Sequence, residues 1–280
     1  MMQTEGRSPL PNDSPGPRIK IFTRSFDLRL YRRSKALYEE LGYPTVRLTD
    51  CSADGYFYKM LKDTECDVAV NIDEDAFLVD PAVLRDLIRT VLEGGYANAG
   101  CPDGGTDAVP RSGDPRVTNP FFNILDLRQI RPAFQRRLMV RKDEDVEPYY
   151  PFFHWLSDRF TTLYLPAEKH PDGLSTILKD PSGRTICLHS WFARFYSMPR
   201  WMVRRLEKNE IDQPVRIEAL IDQAYAIRGL RKTPFTAADR LAFAANDLVR
   251  WVIKIPQRIS RWPYKIARAV RRRQSSHPIH

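Results

Sequence analysis

Along the first hundred residues the apolar positions switch repeatedly between a two-residue and a helical period. In "RIKIFTRSF", Arg18 to Phe26, the residues Ile19, Ile21 and Phe22 predict a strand. "RLYRRSKALYEELGY" then places Leu30, Leu37, Tyr38 and Leu41 at helical spacing, with Gly42 as the stop. "PTVRLT" predicts a second strand, "DGYFYKMLKDT" a short helix and "CDVAVNI" a third strand. "DPAVLRDLIRTVLEGGY" is a helix by its punctuation as much as by its period. Asp80 can cap it, Pro81 suits the first helical position and Gly94 with Gly95 ends it. Such alternation predicts an α/β domain with a mainly parallel central sheet. Further on, "NPFFNILDL", "TTLYLP" and "RTICLHSWF" read as strands and "YYPFFHWLSDRF" as a helix.

Punctuation also divides the chain. Residues 1–17, rich in Pro, Ser and Gly, read as a disordered leader; 18–200 form the α/β domain; 201–239 a helical extension; and 240–280 a basic amphipathic tail. In the tail Leu248, Trp251, Val252, Ile255, Ile259, Trp262, Ile266 and Val270 share one helical side. Arg250, Lys254, Arg258, Arg261, Lys265, Arg268 and Arg272 gather beside them. An apolar stripe with Trp next to a basic stripe is the pattern of a helix lying in a membrane interface, and an anionic membrane surface is its expected partner. Packing of the stripe on the domain or on a second subunit is the alternative. Pro256 and Pro263 predict two or three kinked segments in place of one long helix.

Charge sharpens this division. Between Arg228 and Arg273 stand 13 Lys and Arg against Asp239 and Asp247, which exceeds the formal +9 of the 280-residue chain. The remainder is therefore slightly acidic, and no nucleic-acid partner is expected. Four well-separated cysteines, Cys51, Cys66, Cys101 and Cys187, suggest neither a disulfide framework nor a zinc knuckle. With no apolar signal segment and no run of about 18 apolar residues, the expected location is cytoplasmic, peripheral on the inner face of the cell membrane.

The chemistry concentrates where the third strand ends. Asp73, Glu74 and Asp75 follow "CDVAVNI" directly. In an open α/β sheet, ligands bind beyond the carboxyl ends of the strands. On extended backbone Asp73 and Asp75 face one way and Glu74 the other. Two carboxylates so close call for a cation, and Mn²⁺ or Mg²⁺ would complete its shell with diphosphate oxygens.

"VAVNIDEDAFLVDP" resembles the D-x-D segment of the GT-A-fold glycosyltransferases, and the resemblance extends over about Arg18 to Tyr196. It implies a nucleotide-sugar donor and a metal-dependent transfer to a glycan or lipid-linked saccharide acceptor, of the kind used in cell-envelope polysaccharide or lipopolysaccharide synthesis. It also implies that Asp73 contacts ribose or sugar, that Asp75 ligates the metal, and that a late histidine, here His189, completes the metal shell. The loop after the first strand, with Thr23, Arg24 and Ser25, would hold the nucleotide. An inverting enzyme would also need a base for the acceptor proton, for which Glu147 and Asp158 are candidates, with Asp103 behind them. A noncatalytic sugar-nucleotide or carbohydrate-binding protein on the same fold is the other reading.

Overall fold

The computed structural model describes residues 16–49, 52–104, 108–109, 113–139, 147–197 and 212–260. Nearly all of the expected leader, and the end of the tail from 261 on, lie outside them.

A six-stranded sheet forms the centre. It comprises β1 (Ile19–Arg24), β2 (Thr45–Leu48), β3 (Val68–Ile72), β5 (Asn98–Pro102), β6 (Thr118–Asp126) and β7 (Thr162–Tyr164), in the order β2-β1-β3-β6-β5-β7. All run in parallel except β6, which pairs antiparallel with both β3 and β5. A smaller antiparallel sheet has the order β4-β10-β9-β8, from β4 (Ala76–Leu78), β8 (Ala167–Lys169), β9 (Thr176–Lys179) and β10 (Thr185–His189). Asp73 to Asp75 are therefore the whole connection between β3 of one sheet and β4 of the other. Sequence patterning places β3 and β10 well but misses β4 and the second sheet.

Period-two alternation sorts the central strands onto two cores. Ile21, Val68, Val70, Ile72 and Ile124 face α1 (Leu28–Ala36), α3 (Pro81–Glu93) and α6 (Gln213–Ile227). Phe22, Ala69 and Leu125 face α2 (Ala53–Lys62), α4 (Leu127–Ile130) and α5 (Tyr150–Arg159). β3 and β6 are buried throughout, which explains why they read as continuous apolar runs. α3 begins as expected, with the Asp80 carboxylate accepting from the N–H groups of Ala82 and Val83. α1 ends earlier than its pattern predicts. Its apolar stripe continues through a 3₁₀ turn, Glu39–Leu41, that closes on Gly42 at φ 72°, a left-handed position suited to glycine.

α7 (Ala237–Ser260) runs through Pro256, contrary to the expected interruption there. Its helical backbone loses one hydrogen bond at the proline, a local cost of about 3 kcal/mol that a 24-residue helix can absorb. Among the described residues no helix is long and apolar enough to cross a membrane.

Candidate active site

The cleft opens at the carboxyl ends of β1 and β3, and its position follows from strand register. Arg24 is the last residue of β1, and its Nη2 donates to Asp73 Oδ2 at 2.8 Å just beyond β3. Antiparallel pairing of His189 with Ala76 brings the end of β10 alongside the acids. The Ser190 N–H donates to the Asp75 carbonyl at 2.9 Å, and His189 Nε2 lies 3.4 Å from Asp75 Oδ1. From β6 comes Phe121, whose carbonyl accepts the Asp73 N–H at 2.9 Å and whose ring stacks on His189 at 4.1 Å between centroids. The cleft encloses about 330 Å³ and is lined by Arg24, Phe26, the three acids, Asn119 to Phe121, His189 and Trp191 to Arg194.

Glu74 faces away from its neighbours' partners, as alternation requires. Its carboxylate accepts the Phe26 N–H at 3.1 Å and the Asp27 N–H at 2.9 Å, tying down the loop between β1 and α1. Burial, then the nearby Asp27 carboxylate, push the Glu74 carboxyl up to about 8 despite these bonds. Burial also raises Asp73, to about 6; Arg24 pulls it down and Asp75 adds repulsion. For Asp75 burial acts upward too, but His189 outweighs it and the carboxyl is held below its ordinary value. Burial works against the Arg24 cation, yet Asp73, Tyr56 and Asp75 more than restore it and raise its pKa. Its guanidinium sits 5.2 Å from the Tyr56 ring centroid. The cleft thus combines one cation with closely spaced acids, a setting suited to a ligand that brings both negative charge and a counter-ion.

The far wall is strained. Trp191 and Phe192 both take φ 59°, a left-handed conformation that costs bulky residues of order 1–3 kcal/mol each. Arg216 of α6 holds this turn. Its guanidinium donates to the Ser190 carbonyl at 2.6 Å, to Trp191 O at 3.3 Å, and to Ser175 Oγ, Asp172 and Gln213. Trp191 Nε1 donates to Thr176 Oγ1 at 2.9 Å. These bonds aim Phe192 and Arg194 at the cleft in place of letting β10 continue.

Asp73 Oδ1 and His189 Nδ1 are buried without a hydrogen-bond partner. Among the described residues no three His, Cys, Asp or Glu side chains converge as a ready-made cage. Mg²⁺ and Mn²⁺ sites that take phosphate need only one or two carboxylates. Asp73 and Asp75 supply that number of carboxylates at the cleft, and His189 stands against Asp75.

Of the residues singled out by sequence, Arg24, Asp73, Asp75 and His189 meet in this cleft. Thr23, Ser25, Asp103, Glu147 and Asp158 do not line it. Thr23 is buried with its hydroxyl 2.8 Å from Tyr38 OH, and Ser25 is buried beneath Arg47, which donates to its Oγ at 2.9 Å. Glu147 is exposed. Asp158 is exposed on α5, 4.0 Å from Arg116. Asp103 is buried and accepts from Tyr149 OH, Tyr150 OH and Asn119 Nδ2, so it positions Asn119 from behind. Patterning missed Phe26, Asn119 and Phe121. For Asn119 and Phe121 the usable signal was the Asn-Pro pair opening an apolar strand, and only the antiparallel register of β6 carries it to the acids.

No known family profile and no curated protein matches the chain. Among solved structures it is similar to A197 from STIV, at 14% identity and TM-score 0.40 over 61% of this chain and 93% of that one. A glycosyltransferase involved in glycosylation of the major capsid of PBCV-1 aligns at 14% identity and TM-score 0.35, over 53% and 83%. The mannosyltransferase PcManGT from Pyrobaculum calidifontis, in complex with GDP-Man and Mn²⁺, aligns at 10% identity and TM-score 0.37, over 96% and 90%. Likeness at this level assigns neither family nor activity.

Proposed function

We propose that the cleft binds a nucleotide sugar through its diphosphate and transfers the sugar to a glycan or lipid-linked saccharide acceptor, as in cell-envelope polysaccharide or lipopolysaccharide synthesis. The supporting observation is the pairing of Arg24 with Asp73 beside Asp75 and His189, where Asp73 Oδ1 and His189 Nδ1 are buried and unpartnered. Of the buried side-chain atoms without a partner among the described residues, these two are the ones that belong to residues lining the cleft, where an ion or a phosphate oxygen would meet them. Asp73, Asp75 and His189 would hold Mn²⁺ or Mg²⁺, which supplies charge neutralisation to a departing diphosphate. Arg24 brings a fixed positive charge to the same leaving group. Phe121 fixes the plane of His189 by stacking, and Glu74 keeps the β1–α1 loop and Phe26 in place at the cleft edge. Phe192, on the strained turn, and Arg194, just after it, line the same cleft. Glu147 and Asp158, outside the cleft, receive no role in accepting a proton.

Calorimetric titration with a panel of nucleoside diphosphates, with and without Mn²⁺, tests the binding step. We expect metal-enhanced binding of one diphosphate, lost in Asp75→Ala. Equal binding by wild type and Asp75→Ala would remove the site assignment. Donor hydrolysis or transfer in the presence of Mn²⁺, absent in Asp73→Ala, tests catalysis. Tight binding with no turnover across a full donor and acceptor screen would leave the noncatalytic reading standing.

A further inference from the structure

A surface helix ordinarily turns its apolar face inward and its charges to water. The described part of α7 does the reverse. Toward α1 it presents Asp239, paired with Arg32; Asn246, whose Oδ1 accepts the Leu28 N–H at 3.2 Å; Asp247, 2.6 Å from Arg29; and Arg250, 3.1 Å from Asp27. Phe243 is the large apolar residue on that side, 3% exposed beneath the guanidinium groups of Arg29 and Arg32 at 5.0 and 5.4 Å. On the opposite side stand Leu241, 72% exposed, and Leu248, 65%, with Ala244 and Ala245 exposed between them and Val249, 48%, on the flank. At 100° per residue Leu241 and Leu248 lie on average about 170° from Asp239, Phe243 and Arg250. In sequence, Val252, Ile255 and Ile259 keep the same period. The stripe therefore is not what docks this helix on the domain.

Charge selects the occupant of that stripe. Both acids between Arg228 and Arg273 sit on the domain side, paired with Arg32 and Arg29, and of the 13 Lys and Arg in that stretch Arg228, Lys232 and Arg250 pair with Glu40, Glu218 and Asp27; from Lys254 to Arg273 the sequence then carries eight Lys and Arg and no acid. A second copy of the helix would bring like charge against like. A bilayer with anionic headgroups accommodates the apolar stripe and the cations together. We infer that α7 lies along an anionic phospholipid surface with Leu241, Leu248 and Val249 below the headgroups, its polar side carrying the domain. The inference is independent of the reaction assigned to the cleft.

The test is flotation of the full-length protein with phosphatidylcholine vesicles and with mixed phosphatidylcholine and phosphatidylglycerol vesicles. Binding is expected to the mixed vesicles at low salt, to weaken as salt rises, and to fall about tenfold or more in Leu241→Ser/Leu248→Ser. Both positions are exposed, so far-UV circular dichroism and nucleotide affinity should not change. Three results overturn the inference. The wild type could ignore mixed vesicles. The double variant could bind them as tightly as wild type, leaving the basic charge as the whole anchor. Or sedimentation could show a dimer that the double variant dissolves, assigning the stripe to a second copy.

Discussion

Asp27 joins three parts of the molecule, and its removal gives a stability change that can be worked out beforehand. It is fully buried; its carboxylate accepts the Arg29 N–H at 2.9 Å and the Leu30 N–H at 3.3 Å, capping α1, and Arg250 Nη1 reaches it at 3.1 Å from α7. Loss of such a cap costs about 1 kcal/mol. Loss of a hydrogen bond to a charged group adds about 1.5–3 kcal/mol. Arg250 keeps Ser197 Oγ at 2.9 Å, so it is not stranded. Removing Asp27 also relieves Glu74, whose carboxyl Asp27 helps to push up, and this trims the total. We expect Asp27→Ala to cost about 2–4 kcal/mol in guanidinium unfolding, read from the midpoint at unchanged slope. Asp80→Ala is the calibration. It removes the same two cap bonds, at 2.9 and 3.1 Å, from a residue with no cationic partner among the described residues, so about 1 kcal/mol is expected. Arg250→Met should then cost less in the Asp27→Ala background than in wild type. If Asp27→Ala proves no worse than Asp80→Ala, or Arg250→Met costs the same in both backgrounds, the tie between α7 and α1 is wrong.

Tyr38→Phe should lose about 1 kcal/mol, from the buried Thr23 hydroxyl it leaves unpaired, with no change in nucleotide affinity by calorimetry; a large loss of affinity would return Thr23 to the binding site. Arg24→Met leaves Asp73 buried without its ion pair, so nucleoside diphosphate binding should fall by about tenfold or more, whereas unaltered affinity would exclude Arg24 from the diphosphate site. Arg216→Met should relax the Trp191–Phe192 turn, seen as altered Trp fluorescence and weaker donor binding with nucleoside diphosphate affinity kept; parallel loss of both would point to general unfolding. For Asp172, burial acts upward but is outweighed by the Ser175 hydroxyl, the Ser175 and Leu174 N–H groups and His170, which hold the carboxyl at about 2. Its folded value is depressed from 3.8, so its contribution to stability is complete above that pH and is lost as pH falls through about 2; acid unfolding of Asp172→Asn should show a shallower pH dependence there.

Where local patterning carried the structure, it did so because one residue or period settles the matter. Asp80 with Pro81 fixes the start of α3, and the period of two around Ile19 and Ile21 fixes β1. β5 is invisible in the pattern because Asn98, Ala99, Gly100 and Pro102, four of its five residues, are poor strand formers. Its pairing with β6 decides instead, and a side chain at Gly100 would collide with Asn123 of that neighbour. The acids were legible because strand, charge and capped helix stood within one short stretch. Thr23 and Ser25 were misplaced since an alternating strand sends alternate side chains to opposite faces, and only Arg24 of the three points at Asp73. Glu147 and Asp158 illustrate the other gap: sequence says nothing about which exposed acid lies near a cleft built from distant segments.

The reversed direction of β6 also decides where this chain tolerates changes in length. Because β6 starts at the edge where β1 and β3 end, Phe121 stands opposite Asp73 only while the pairing of Ile72 with Phe122 is kept. One residue inserted within Thr118–Asp126 would slip that register and turn Phe121 away from His189. A residue inserted at Arg116, just ahead of the strand, is absorbed by the connection from β5 at small entropic cost. Insertional scanning of a gene library should therefore find a sharp boundary at Val117, with viable variants before it and none through the strand.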